Sequence, residues 1–310
     1  MAGGRKIAII GAGLMGHGIA LSFARAGHAV SAFDPDPGCR DSLHARVGDS
    51  LKLLGATAGE SDRTIANITA LASFEDCVAG ADVVFEAAPE QVALKQKVFA
   101  DVERAAPATC LLASNTSVIP ITRIMGGLRD PSRALGTHWW NPPHLIPLVE
   151  VIRTGWTSEE AMDAMVELLA AIGKRPVRVE KDIPGFVGNR LQHALWREAV
   201  SLVEHGVCSA EAVDTVIKAS FGRRLAVLGP LENADLVGTD LTLDIHENVL
   251  FDLESAPGPS PYLRDLVAAG RLGVKSGEGF RRWTDEEADA TRARVVRYLL
   301  DIEDLLDRPA

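Results

Sequence analysis

Lys6-Ile7-Ala8-Ile9-Ile10-Gly11-Ala12-Gly13-Leu14-Met15-Gly16 decides how the first half of this chain folds. After Lys6 the segment is apolar without alternation, as expected for a short strand buried on both faces. Three glycines follow at GxGxxG spacing, and an apolar-periodic helix then runs to about Ala26. Each glycine has its own duty: Gly11 permits the tight turn, Gly13 lets a pyrophosphate approach the backbone, and Gly16 lets helix pack on strand. The helix opens at Leu14 and Met15, and its free amides face phosphate oxygens. A second strand, Ala29 to Phe33, ends at Asp34. A carboxylate there accepts hydrogen bonds from the hydroxyls of an adenosine ribose and repels a 2′-phosphate, which favours NAD over NADP. An aspartate before Pro35 also reads as an ordinary turn residue, but the complete strand, turn, helix and strand unit outweighs that reading. Gly11, Gly13, Leu14, Met15, Gly16 and Asp34 are therefore cofactor-binding candidates.

Beyond this unit strands and helices keep alternating. Residues 38–67 read as helical, interrupted around Gly55 to Gly59, and strands are expected at 68–71, 81–86, 109–113, 134–137, 148–152 and 176–179. The expected fold class is α/β, a Rossmann-type doubly wound sheet, mainly parallel, with ligands outside the carboxyl ends of its strands. Glu90, Lys95, Asn115, Ser117 and His138 all fall at or just beyond such ends. Asn115 and Ser117 also read as cap and turn residues, and Glu90 and Lys95 as a solvated helix face. After Lys181-Asp182-Ile183-Pro184-Gly185-Phe186 the alternation stops and only helical patterns follow, the first from about Phe186 to His205 with Gly206 as its stop. The expected boundary separates a cofactor domain, 1–183, from an all-helical domain, 184–310, for substrate and dimerisation.

A formal net charge of -10 and a pI near 5.3 leave no basic footprint for nucleic acid or an anionic membrane surface. No apolar run approaches the roughly eighteen residues of a spanning helix, and the N-terminus lacks a signal-peptide pattern, so the expected location is the cytoplasm. The four cysteines and eight histidines are scattered without metal-ligand spacing, and no metal is expected. Partners reduce to a small molecule and a second copy of the chain.

The stretch from Thr137 to Glu150 carries the chemistry. His138 ends one apolar segment, prolines break the chain at Pro142 and Pro143, and Glu150 stands in the next. An imidazole takes a proton near neutral pH, and a carboxylate behind it fixes its tautomer. A satisfied histidine beside a surface glutamate is the ordinary reading of the pair alone.

The ordered pieces resemble the 3-hydroxyacyl-CoA dehydrogenase family along nearly the whole chain. They are GAGLMG from Gly11, FEAAPEQVALKQKVF from Phe85, SNTS from Ser114, HWWNPPHLIPLVEVI from His138, DIPGFVGNRL from Asp182 and GVKSGEGF from Gly273. The resemblance implies a catalytic base at His138, its paired carboxylate at Glu150, and ordering residues that contact the substrate oxygen at Ser117 and Asn189. It also implies cofactor contacts at Glu90, Lys95 and Asn115, and Asn141 near the nicotinamide or substrate. Hydride then passes between a carbinol carbon and NAD while His138 handles the proton. In family members acting on acyl-CoA, the segment after the second strand is a longer, lysine-bearing hairpin that contacts CoA. Here residues 34–68 hold a single lysine, Lys52. Trp139, Trp140 and the paired prolines are similar to members acting on free hydroxy acids or a pyridine-carboxylate alcohol. The expected substrate is thus a small carboxylate-bearing alcohol without CoA, with Trp139, Trp140, Arg223 and Arg224 as substrate candidates. A short-chain 3-hydroxyacyl-CoA dehydrogenase and a non-catalytic, crystallin-like dinucleotide-binding protein are the alternatives.

Overall fold

The computed structural model describes residues 4–306, which divide into two compact units, one running to Asn189 and the other starting at Arg190. The first is built on a single eight-stranded sheet. One half contains β1 (Lys6–Ile10), α1 (Leu14–Arg25), β2 (Ala29–Phe33), α2 (Pro37–Asp41), α3 (Leu43–Leu53), α4 (Ala58–Ala66) and β3 (Ile68–Leu71). The chain then crosses through α5 (Phe74–Val78) to β4 (Val83–Glu86), α6 (Val92–Ala105), β5 (Leu111–Ser114), α7 (Ile121–Met125) and β6 (Ala134–Trp139). It continues through β7 (Leu148–Ile152), α8 (Glu159–Ala171) and β8 (Arg175–Val179). The spatial order is β3-β2-β1-β4-β5-β6-β7-β8, parallel throughout except between β6 and β7. Strand order reverses between β1 and β4, which opens a crevice at their carboxyl ends. This is the doubly wound α/β sheet that the alternation predicts.

Successive side chains of a strand point to opposite faces, so a sheet covered by helices on both sides needs apolar residues at every position. Ile7 and Ile9 enter one core with Phe23, Val30 and Phe85. Ala8 and Ile10 enter the other with Val84, Phe99 and Leu112. The same alternation governs β6, which extends two residues beyond the expected strand and takes in His138 and Trp139. Trp139 falls on the first face, only 2 % exposed, its ring 6.0 Å from Phe23 and 6.2 Å from Phe85. His138 falls on the second. One helix, α7, is not anticipated by the sequence pattern. It is only five residues long, and its first two amides are capped by Asp182, whose Oδ1 accepts from Ile121 N at 3.0 Å and Oδ2 from Thr122 N at 2.8 Å.

The second unit is helical, as expected. α9 (Gly188–Glu204) begins two residues before it, and α10 (Ala210–Ala219), α11 (Pro230–Val237), α12 (Thr239–Val249), α13 (Pro261–Ala268) and α14 (Asp285–Leu306) follow. Gly206, with φ +68°, takes the left-handed turn that ends α9, and the Ser209 and Ser260 hydroxyls cap α10 and α13. Glu204 in turn accepts from the Ser260 hydroxyl at 2.8 Å, tying α9 to the start of α13. Large apolar side chains remain exposed on this unit, Leu231, Leu236 and Phe251 at 73–81 %.

Because Trp139 is core, Trp139→Ala is expected to lower unfolding free energy by about 3–5 kcal/mol in urea titration. A loss below about 1 kcal/mol would contradict this placement.

Candidate active site

The glycine turn after β1 divides its work as the spacing requires. Gly11 has φ +97°, and a Cβ there would lie 2.6 Å from the Ala87 carbonyl oxygen. At Gly16 a Cβ would come within 1.8 Å of Gly11 O, so α1 packs on the turn only without a side chain. Gly13 is the opposite case, since beyond its own chain neighbours no atom lies within 4 Å of a Cβ built on it. That open space, at the amino end of α1, is where a phosphate can meet backbone amides. Asp34 closes the turn from β2, its Oδ2 accepting from Ala12 N at 2.8 Å and its Oδ1 from Asp36 N at 3.0 Å. Each carboxylate oxygen keeps further acceptor capacity for a ribose hydroxyl. These residues fit NAD. Arg46 of α3 braces the turn by donating to Gly13 O at 3.1 Å and Ala12 O at 2.7 Å.

Beyond the switch point, the carboxyl ends of β4 and β5 are joined by a buried charge network. The Lys95 ammonium, fully buried, donates to Glu86 Oε1 at 2.7 Å and to Ala88 O at 3.0 Å, and lies 3.4 Å from Glu90 Oε2. Glu86, also fully buried, accepts from the Ala88 amide at 2.7 Å and the Ser114 hydroxyl at 2.6 Å. Glu90 Oε1 accepts from Thr116 Oγ1 at 2.5 Å, Ser117 N at 3.0 Å and Val118 N at 3.2 Å. Burial pushes the Glu90 pKa up, but the Thr116 hydroxyl, the Lys95 charge and these amides together hold it below the ordinary carboxylate value. The turn that bears Ser117 is therefore clamped by a carboxylate that is itself anchored by Lys95.

Twelve residues separate His138 from Glu150 in sequence, yet the antiparallel register of β6 on β7 sets them directly opposite one another. Their side chains share a sheet face, and His138 Nδ1 lies 2.7 Å from Glu150 Oε2, both residues buried. The other carboxylate oxygen, Oε1, accepts from Val187 N at 2.9 Å and Gly188 N at 3.1 Å. Burial again raises the pKa, and the bonds from His138, Gly188 and Val187 outweigh it, leaving Glu150 below its ordinary range. An ionised carboxylate only accepts, so neutral His138 carries its hydrogen on Nδ1 and presents a bare Nε2. Next along α9, Asn189 is buried and donates from Nδ2 to Ser117 O at 2.8 Å. His138, Glu150, Asn189, Ser117 and Glu90 thus form one linked set within the first unit. His144, the second histidine of the stretch, packs elsewhere, against Gly18 of α1. Burial and the neighbouring His17 and Lys174 push its pKa down to about 4, so it stays neutral near pH 7.

Several candidates lie apart from this set. Lys95 lines no solvated helix face and spends its ammonium on protein partners, so it reaches the crevice through Glu90. Trp139 is removed from the substrate candidates, because strand alternation turns it into the opposite core. Trp140, just past β6, stays beside His138, with ring centroids 5.0 Å apart. Asn115 is buried, and its Oδ1 accepts from Trp139 N at 3.0 Å. Leu14 is 65 % exposed at the start of α1, while Met15 packs on the core. Asn141 is exposed, and Arg223 and Arg224 are exposed in the second unit, in and just after the short 3-10 turn Phe221–Arg223. Glu86 and Asp182 are not anticipated by the sequence pattern. A carboxylate closing an apolar strand and one heading the PGF turn were the available signals.

Comparison with known proteins agrees with this architecture. Residues 6–183 match the 3-hydroxyacyl-CoA dehydrogenase NAD binding domain, and residues 185–283 match the C-terminal domain of the same family. The chain is 36 % identical over 309 residues to 5-formyl-3-hydroxy-2-methylpyridine 4-carboxylate 5-dehydrogenase from Mesorhizobium japonicum, covering 98 % of each. A crystal structure of a 5-dehydrogenase of that pyridine carboxylate, described as an NAD+ dependent dismutase, superposes with a TM-score of 0.91 at 35 % identity, covering 99 % of this chain and 100 % of that one. An (S)-3-hydroxybutyryl-CoA dehydrogenase from Ralstonia eutropha superposes with a TM-score of 0.76 at 33 % identity, covering 91 % and 99 %. The chain belongs to the 3-hydroxyacyl-CoA dehydrogenase family. It is an NAD-dependent dehydrogenase acting on a CH–OH group.

Removing the Lys95 ammonium strands Glu86 in the interior. Lys95→Met is expected to destabilise the protein by about 3–5 kcal/mol, and adding Glu86→Gln is expected to recover part of that loss. Chemical denaturation of the two variants checks both, and equal stability of Lys95→Met and the parent would contradict the network.

Proposed function

We propose that the protein moves hydride between NAD and a secondary or similar alcohol on a small carboxylate-bearing substrate without CoA, using His138 and Glu150 as the proton relay. The observation that carries the relay is the buried 2.7 Å contact of Glu150 with His138 Nδ1, which leaves Nε2 to meet a substrate hydroxyl. When bound, NAD supplies the hydride acceptor. His138 Nε2 takes the hydroxyl proton as the carbinol carbon is oxidised, and Glu150 stabilises the imidazolium that forms. In the reverse direction the protonated His138 polarises the carbonyl and returns the proton. Ser117, exposed on its clamped turn, and Asn189, bonded to that turn, order the substrate oxygen. Gly11, Gly13, Leu14, Met15, Gly16 and Asp34 hold the pyrophosphate and adenosine, with Glu90, Asn115 and Asn141 toward the nicotinamide half.

Two observations support a substrate without CoA. Few cations stand between β2 and β3, and most have protein partners: of the four lysines and arginines there, Arg46 and Arg40 donate to backbone carbonyls and Lys52 pairs with Asp49 at 3.1 Å, which leaves Arg63 exposed. A phosphate-rich tail would need such groups free. The higher TM-score with the pyridine-carboxylate enzyme than with the hydroxybutyryl-CoA enzyme points the same way. Arg223 and Arg224 remain candidates for a substrate carboxylate. The division at residue 183 assigns the cofactor to the first part and substrate binding and dimerisation to the second, whose exposed apolar side chains suit a second copy of the chain. A cytoplasmic location fits Cys77 and Cys110, which stand as free, buried thiols.

His138→Gln is expected to lower turnover by at least about a hundredfold while NAD still binds. Unchanged turnover would remove His138 from this role. A substrate panel with NAD comes alongside, comparing free hydroxy acids and aromatic alcohols with acetoacetyl-CoA. Turnover of acetoacetyl-CoA alone would overturn the substrate assignment in favour of a short-chain 3-hydroxyacyl-CoA dehydrogenase.

A further inference from the structure

Two aromatic rings bound the His138 imidazole. Phe186 is fully buried, with its ring centroid 5.7 Å away, and Trp140 stands at 5.0 Å, inclined at 52°. Trp140 rests in turn on the backbone of Gly188. A Cβ added to Gly188 would meet the indole at Cζ2 at 2.4 Å, Cη2 at 3.2 Å and Cε2 at 3.3 Å. Gly188 has no left-handed φ, so what demands glycine there is the indole rather than the backbone. The amide of this same residue donates to Glu150 Oε1 at 3.1 Å. The indole therefore lies against both partners of the relay, touching the ring of one and the peptide that holds the other. Its own Nε1 is buried and makes no hydrogen bond among the described residues, so Trp140 acts here through ring surface alone.

We propose that Trp140, seated on Gly188, is a positioning residue that fixes the plane of the His138 imidazole toward Glu150 and shields their hydrogen bond from water. The inference rests on His138 being the base. One hydrogen bond at Nδ1 holds a single point of the ring, and the terminal torsion of histidine is broad, so the ring plane needs packing to define it. A hydrogen bond screened from solvent is also electrostatically stronger. Trp140 supplies both conditions, and Gly188 supplies the space that lets it.

The test uses Trp140→Ala, Trp140→Phe, Gly188→Ala and the double variant Trp140→Phe/Gly188→Ala. Alcohol oxidation is followed across pH at saturating NAD, with NAD affinity measured directly. Trp140→Ala is expected to lower kcat by about ten- to a hundredfold, with a smaller change in KM and a displaced acid limb of the kcat/KM profile. Trp140→Phe, which keeps a ring and loses no hydrogen bond, should remain within about fivefold of the parent. Gly188→Ala should reproduce the alanine phenotype by displacing the indole, and the double variant should recover, because the smaller ring makes room for the methyl group. Binding of NAD within about twofold of the parent shows that each variant is folded. A Trp140→Ala profile superimposed on that of the parent, or purely additive effects in the double variant, would overturn the proposal. If Trp140→Ala does not fold, the Gly188→Ala and double-variant pair decides alone. Retained activity in His138→Gln would instead defeat the functional reading beneath it.

Discussion

A carboxylate buried on the face of a sheet must be given donors, and the first unit arranges itself around giving them to Glu150. Moving such a group out of water costs several kcal/mol unless hydrogen bonds and a partner charge offset it. His138 serves one oxygen and two amides of the PGFVG turn serve the other. The antiparallel turnaround of β7 on β6 brings the first donor, and the entry into α9 brings the second and third. Because these contacts hold the Glu150 pKa below its ordinary value, their contribution to stability is complete above the ordinary carboxylate range. It is lost as pH falls through the depressed value.

The Glu86, Lys95 and Glu90 network follows the same rule at the ends of β4 and β5. Its buried ammonium lets two carboxylates sit close together, and the second of them spends one oxygen on the Ser117 turn. Asn189 bonds that turn from the other side, one residue beyond the peptide that binds Glu150. A chain of satisfied polar groups thus runs from the cofactor crevice to the imidazole. Groups held this way lose little freedom when a substrate arrives, which is what a hydride-transfer site asks of its protein.

Local signals were legible in the sequence, and those that depend on distant packing were not. The glycine turn and Asp34 could be read because a single strand, turn, helix and strand unit contains most of the contacts that explain them, Asp34 with Ala12 and Gly16 with Gly11 among them. His138 and Glu150 could be nominated, but their facing depends on the antiparallel register, which sequence spacing does not specify. Trp139 and Trp140 looked alike until the end of β6 was known; one further ladder residue sends the first into the core and leaves the second beside His138. The solvated-face reading of Lys95 fails because helical periodicity cannot see a buried carboxylate arriving from β4. The helix at Ile121 escaped because its cap, Asp182, comes from 61 residues away.

The relay depends on Glu150 fixing the tautomer of His138. Nitrogen NMR of the protein labelled at histidine reads this directly near neutral pH. The neutral ring is expected to carry its hydrogen on Nδ1 with Nε2 bare, and Glu150→Gln should disturb that state. A His138 protonated at Nε2 in the parent, or one indifferent to the loss of Glu150, would contradict the account.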